Sequence, residues 1–144
     1  MGNVKLVGGN LRGDGASLHV VAFAKHTEKD KEFVVARELY GEYRLIMCEV
    51  GKEDKLFNVG KLEEDFDTGR DLRPGDVVNH FKNKKYVIVG FATEVETGEA
   101  FVIYTALYGD TSTYARPFKM FMSEVDREKH PEATQKYRME LFRR

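Results

Sequence analysis

Two parts of the chain alternate in the same way. Residues 18–24 and 33–40 are β-branched and aromatic runs on either side of the polar segment HTEKDKE, and residues 86–92 and 101–108 flank a second polar segment at 94–99. Apolar runs of this length around a polar, turn-forming stretch predict two β-hairpins. The second lies over the first without a gap at an offset of 68 residues. Across 20–41 against 88–109, nine of 22 positions are identical, including Phe23/Phe91, Phe33/Phe101 and Gly41/Gly109. Identical apolar positions at a fixed spacing mark a repeated structural unit. Gly98 of the second tip falls opposite Asp30 of the first. Both suit a turn, so the two tips are expected to share one backbone shape.

The strands are apolar on both faces. Val87, Val89 and Phe91 alternate with Tyr86, Ile88 and Gly90, and Ile103 and Leu107 alternate with Val102, Tyr104 and Tyr108. A sheet with one wet face would show polar residues at every second position. Something must therefore cover the outer face: the other repeat, a homodimer partner or a helix. Around the hairpins, residues 4–7 predict a short first strand, 43–50 a third strand and 55–59 a short fourth. Residues 61–71 (KLEEDFDTGRD) form an acidic linker, and Arg73-Pro74-Gly75-Asp76 is a turn that launches the second copy at Val77. Pro117 ends a strand before one helical turn. Residues 126–135 are solvated, and 136–142 alternate as an edge strand.

Composition adds bounds. A chain of 144 residues suits one domain or two small ones of about 70 residues, and units that small share a core. The 23 basic and 24 acidic residues leave no overall field to draw nucleic acid or lipid. No apolar run is long enough to span a membrane, and the first residues lack the pattern of a signal peptide, so a cytoplasmic protein is expected. Cys48 is the sole cysteine, which excludes an intrachain disulfide and a cysteine zinc cluster. The run GGNLRGDG has no Gly-Lys-Ser/Thr and opens no helix, so it is a strand connection rather than a phosphate cradle.

Candidate chemistry is thin. His26, Glu28 and Asp30 share a hairpin tip and could ligate a metal, although a solvated turn accounts for them. His80 beside Phe81 could act as an acid–base group, but no sequence neighbour gives it a partner. Cys48 sits in an apolar strand and reads as an inert small hydrophobe. An aromatic and basic set is the best lead: Tyr108, Tyr114, Arg116, Phe118, Lys119 and Phe121, with His80-Phe81-Lys82, place stacking faces beside cations.

The second half also resembles a known family. Arg73-Pro74-Gly75, His80-Phe81-Lys82, Tyr86, Glu96-Thr97-x-Glu99, Val102-x-Tyr104-x-Ala106-Leu107-Tyr108-Gly109-Asp110 and Arg116-Pro117-x-x-Met120-Phe121 are similar to the ordered motifs of the bacterial domain of unknown function 1653 family. The resemblance covers about residues 72–142 and implies a compact all-β domain with no established activity. It departs in two places: Glu94-Val95 stand where the family has His-Ser, and Tyr114-Ala115 where it has Trp-Val. The first half keeps Ala24-x-His26-Thr27-Glu28 but lacks the Arg-Pro-x-x-Met-Phe segment. Neither half carries the whole pattern, so it is either structural or completed between the halves.

The expected fold is all-β, with two tandem, small, SH3-like, partly open barrels related by internal duplication: residues 1–60, a linker at 61–71, and residues 72–144. The expected function is a non-catalytic recognition module without a cofactor. Its ligand-facing residues are expected to be Arg116, Tyr114, His80, Tyr108, Asp110 and His26, with Arg116 lying against a ring or paired with a carboxylate such as Asp110. The expected partner is a small molecule or a peptide, with a homodimer possible. A single-stranded nucleic-acid binder and an enzyme working between the halves through His80 and His26 are the alternatives.

Overall fold

The structure, a computed structural model, describes residues 7–13, 16–63 and 66–144. Strands β1 (Asn10–Gly13), β2 (Ala16–His26), β3 (Glu32–Glu38) and β4 (Leu45–Glu49) are followed by a 3-10 turn at Glu53–Leu56. Then come β5 (Val77–His80), β6 (Lys84–Glu94), β7 (Ala100–Ala106), β8 (Thr113–Pro117), one helical turn α1 (Phe118–Phe121) and β9 (Met139–Arg143). The strand expected at 4–7 falls, except for Val7, outside the described residues.

Within each half the strands form an antiparallel meander, β2-β3-β4 and β6-β7-β8. Two parallel seams join them: β2 pairs with β8 through Lys25↔Tyr114 and His26↔Ala115, and β4 pairs with β6 through Ile46↔Thr93 and Met47↔Glu94. Those six strands close into one barrel. The two barrels expected in tandem are thus replaced by a single one to which each half gives three strands. A separate three-strand sheet would leave two edges unpaired, and pairing the halves at both seams removes all four.

The registers of the halves correspond at the 68-residue offset. Leu18↔Glu38 through Lys25↔Glu32 recur as Tyr86↔Ala106 through Thr93↔Ala100, and each meander skips one residue, Val21 or Val89, at a bulge. A bulge bends and twists its strand, which helps a short sheet close. Just after the second bulge, a Cβ on Gly90 would lie 2.8 Å from Leu45 Cδ2, so the glycine lets β6 approach β4. The turns after β3 and β7 correspond as well, with Gly41 at φ 60° and Gly109 at φ 59°. Both lie in the left-handed region where glycine is unstrained. The hairpin tips do not share one shape: Gly98 has φ 76°, whereas Asp30 is not left-handed.

Burial on both strand faces follows from three apolar layers. Phe33, Val35, Met47, Phe101, Ile103 and Ala115 fill the barrel. The outer face of the first half holds Leu18, Val20, Val34, Ala36, Ile46 and Cys48, covered by Leu56 and flanked by Phe57 and Leu62. The outer face of the second half holds Tyr86, Ile88, Val102 and Tyr104 beneath Phe118, Phe121, Met122 and Met139. The first outer face is covered by the chain that follows its meander, and the second by the chain that follows its own together with Phe66 and Leu72 from the segment before it. Residues 55–59, read as a strand, supply part of one cover: a 3-10 turn ending at Leu56, with the Glu53 carboxylate accepting Gly51 N–H at 2.9 and 3.1 Å.

Candidate functional site

The outer face of the second half differs in chemistry from that of the first. At the 68-residue offset, Leu18 corresponds to Tyr86, Ala36 to Tyr104, Ile46 to Tyr114 and Cys48 to Arg116. The first-half residues are all fully buried and apolar. The barrel therefore needs only hydrophobic side chains at these places. Their polar counterparts come together instead.

Arg116 lies on β8, where its neighbours across the strand pair face the same way. Its Nε donates to Tyr104 Oη at 3.0 Å, and its Nη1 approaches Met120 Sδ at 3.2 Å and Glu28 Oε2 at 3.5 Å. The side chain is only 16% exposed. Of the two expected settings, a ring or a carboxylate such as Asp110, Arg116 has the carboxylate, but the partner is Glu28 from the hairpin tip of the first half, and its contact with Tyr104 is through the hydroxyl. Asp110 is exposed in its own turn, where Oδ1 accepts Ser112 N–H at 3.1 Å. The Tyr104 ring packs edge-on against Tyr86 at 5.2 Å and tilted against Tyr114 at 5.9 Å. Tyr86 and Tyr108 share a hydroxyl hydrogen bond of 2.6 Å, and Lys84 Nζ sits 5.1 Å from the centre of the Tyr108 ring. Burial raises the Tyr104 phenol, and burial followed by the Tyr108 hydrogen bond raises that of Tyr86. Both stay protonated at neutral pH.

Arg138, which the sequence reading did not single out, completes the group. Its backbone is pinned from both sides: Arg138 N–H donates to Ser123 O at 2.9 Å, and Phe81 N–H donates to Arg138 O at 3.0 Å. The guanidinium carbon lies 5.9 Å from the centre of the Phe81 ring. Nε is buried and has no hydrogen-bond partner among the described residues. Burial, and then the charge of Arg116, work against the protonated form of Arg138. Two guanidinium groups thus share a tyrosine-lined face, and one has no anion of its own.

His80 stacks on Phe81 at 4.3 Å, faces the Tyr86 edge at 6.4 Å, and its Nδ1 accepts Lys82 N–H at 3.0 Å. Burial, followed by the charges of Arg138, Arg116, Lys82 and Lys84, pushes its pKa down to about 4. It is neutral at physiological pH, with one nitrogen already engaged. His26 lies elsewhere, at the barrel end, against Phe33 at 5.8 Å and Phe101 at 5.4 Å. Its Nδ1 accepts Glu28 N–H at 2.9 Å, which shapes the tip so that the Glu28 carboxylate reaches Arg116. The two histidines share none of these neighbours. Cys48 is fully buried, and burial first, then Glu53, Glu94 and Glu96, push its thiol up to about 12. Among the described residues, no three His, Cys, Asp or Glu side chains gather as metal ligands, and no helix is long and apolar enough to cross a membrane.

Of the expected residues, Arg116, Tyr114, His80 and Tyr108 lie in or beside this group, His26 acts on it through Glu28, and Asp110 stands apart. Tyr104, Arg138 and Glu28 are the additions. A signal for the tyrosines and Arg116 was present in the sequence, in the mismatch of Leu18, Ala36 and Cys48 with Tyr86, Tyr104 and Arg116. No curated protein and no solved structure matches the chain. The second half, residues 76–140, holding Tyr86, Tyr104, Tyr114, Arg116 and Arg138, matches the family described as Protein of unknown function (DUF1653).

Proposed function

We propose that the protein is a non-catalytic recognition module that binds an anionic group on the outer face of its second half. One observation carries this reading. Where the first half packs Leu18, Ala36, Ile46 and Cys48, the second presents Tyr86, Tyr104, Tyr114 and Arg116, joined by the unpaired Arg138. Burying guanidinium groups without matched anions is costly, and a site kept for a ligand gives a reason to bear that cost. Arginine presents planar, fixed donors that suit carboxylates and phosphates. The protonation states favour recognition over acid–base chemistry, because His80 is neutral with Nδ1 engaged and Cys48 is a buried thiol.

In this reading the chain is a duplication of one three-strand unit, residues 1–60 and 72–144, joined through 61–71. The second copy is specialised for binding, and the first supplies structure and the Glu28 tip. Lys84 beside the Tyr108 ring favours single-stranded nucleic acid as the second reading, since bases stack on such rings. A thermal-shift panel of anionic, cationic and neutral small molecules and short single-stranded oligonucleotides tests both. A ligand that binds only the folded state raises the melting temperature. Anionic compounds should raise it in the wild type and not in Arg116→Ala. A panel in which anions and neutral compounds act alike, or in which Arg116→Ala responds like wild type, refutes the proposal. Oligonucleotide shifts that collapse as salt rises would favour the second reading.

A further inference from the structure

We infer that the group bound here is a phosphate monoester, and that the Glu28 carboxylate holds its place until the ligand displaces it. The inference rests on the anion-site reading above and specifies its ligand.

The donors set the stoichiometry. Tyr104 Oη already accepts from Arg116 Nε, so its own proton is free to donate. Among the described residues, Arg116 Nη2 and the Arg138 guanidinium also have no acceptor. Three donor groups therefore lie close enough to feel one another's charge, and among the described residues the carboxylate that reaches Arg116 is Glu28, beside the weakly accepting Met120 thioether. A phosphate monoester offers three terminal oxygens and a charge of about −1.5 to −2 at neutral pH. A carboxylate offers two oxygens and a single charge. The guanidinium charges here are those of Arg116 and Arg138, Lys82 and Lys84 add positive charge around His80, and His80 itself is neutral. A dianion balances both guanidinium groups, and a monoanion leaves one unmatched, as Glu28 does now.

Glu28 is built to leave. Its carboxylate stands 3.5 Å from Arg116 Nη1, a long contact for a charged pair, and its side chain is 43% exposed. Its backbone stays tied to His26 Nδ1, so withdrawing the carboxylate into water requires only rotation of the side chain. The first half thereby keeps Arg116 partnered, and a ligand must displace that carboxylate.

Isothermal titration of the full chain at pH 7.5 and low salt tests this, using phenyl phosphate against benzoate, which carries the same ring on a monoanion. Wild type should bind phenyl phosphate at least tenfold more tightly than benzoate. Glu28→Gln should tighten phenyl phosphate by about two- to fivefold, the scale of a partly exposed ion pair. Arg138→Gln should weaken it at least tenfold, and Tyr104→Phe, which removes one hydroxyl from a folded core, should weaken it severalfold. Equal affinity for the two probes, an unchanged Glu28→Gln, or an unchanged Tyr104→Phe, each with binding still lost in Arg138→Gln, overturns the phosphate inference and leaves the anion site standing. Wild-type affinity in a folded Arg138→Gln, or no binding of either probe at millimolar concentration, overturns both. If Arg138→Gln does not fold, Tyr104→Phe and Glu28→Gln decide the inference between them.

Discussion

Acidification should weaken the fold through His80, by an amount the structure sets. The ordinary histidine pKa of 6.5 is pushed down to about 4 in the folded chain, by burial first and then by Arg138, Arg116, Lys82 and Lys84. Between those values the unfolded chain binds a proton that the folded chain refuses. Stability is therefore complete above pH 6.5 and falls as the pH drops towards 4. At about 1.4 kcal/mol per pH unit the whole window would be worth about 3 kcal/mol, and solvent contact at this half-buried ring trims that to about 2 kcal/mol. His80→Asn isolates the effect, since an asparagine oxygen can still accept the Lys82 N–H that His80 Nδ1 accepts at 3.0 Å but does not titrate. Urea unfolding of both proteins from pH 8 to 4 gives the difference directly, with contributions from carboxylates and His26 common to both. The curves should run parallel above pH 6.5 and diverge below it, with wild type losing about 2 kcal/mol more by pH 4. Parallel curves throughout would mean that His80 titrates normally and that the cationic, buried setting described for it is wrong.

Three other outcomes follow from particular contacts. Arg44 grips Glu38, which is 1% exposed, at 2.6 and 2.9 Å, so Arg44→Ala strands a buried carboxylate and should cost about 3–5 kcal/mol by chemical denaturation. Burial would raise the Glu38 carboxyl, but the hydrogen bonds and charge of Arg44 outweigh it and lower it; that contribution is present above about pH 4.5 and disappears as the pH falls further. Cys48 should resist a thiol reagent such as Ellman's in native buffer and react in full in denaturant, since its thiol is buried and pushed up to about 12; rapid native labelling would contradict its place under the first-half cover. Measured by urea unfolding, Gly109→Ala should cost about 1 kcal/mol because alanine must adopt φ 59° with nothing near its Cβ to compensate, while Gly60→Ala, in open space without a left-handed backbone, should be neutral.

The hairpins were legible because alternation is a local signal and because the chain states it twice. The barrel was not, since its closure depends on parallel seams between residues as distant as Lys25 and Tyr114, and no local pattern encodes such a pairing. Residues 55–59 misled for the opposite reason: a run that short alternates by chance, and tertiary demand for Leu56 over the outer face selected a 3-10 turn. Arg116 was readable from its aromatic neighbours and the proline after it, yet its partner was not. The Glu28 tip reaches it only because β2 lies beside β8. Arg138 was missed because the alternation of Lys136, Arg138 and Glu140 with apolar residues reads as the wet side of an edge strand. In the folded chain β9 begins only at Met139, and Arg138 turns inward under Phe81.

The two parallel seams also impose an order on folding. Each hairpin can form from near neighbours within microseconds, and β1 and β5 cover part of the outer edges of β2 and β6 within their own halves, but the seam stretches of β2 with β8 and of β4 with β6 find their partners only in the other meander. The last event is then a search by one half for another half, and nothing in the seam hydrogen bonds distinguishes a half on the same chain from one on a neighbour. At low concentration the covalent connection makes the intramolecular encounter the faster one. At high concentration, refolding chains should exchange halves and yield dimers in which every barrel is intact but each contains strands from two molecules.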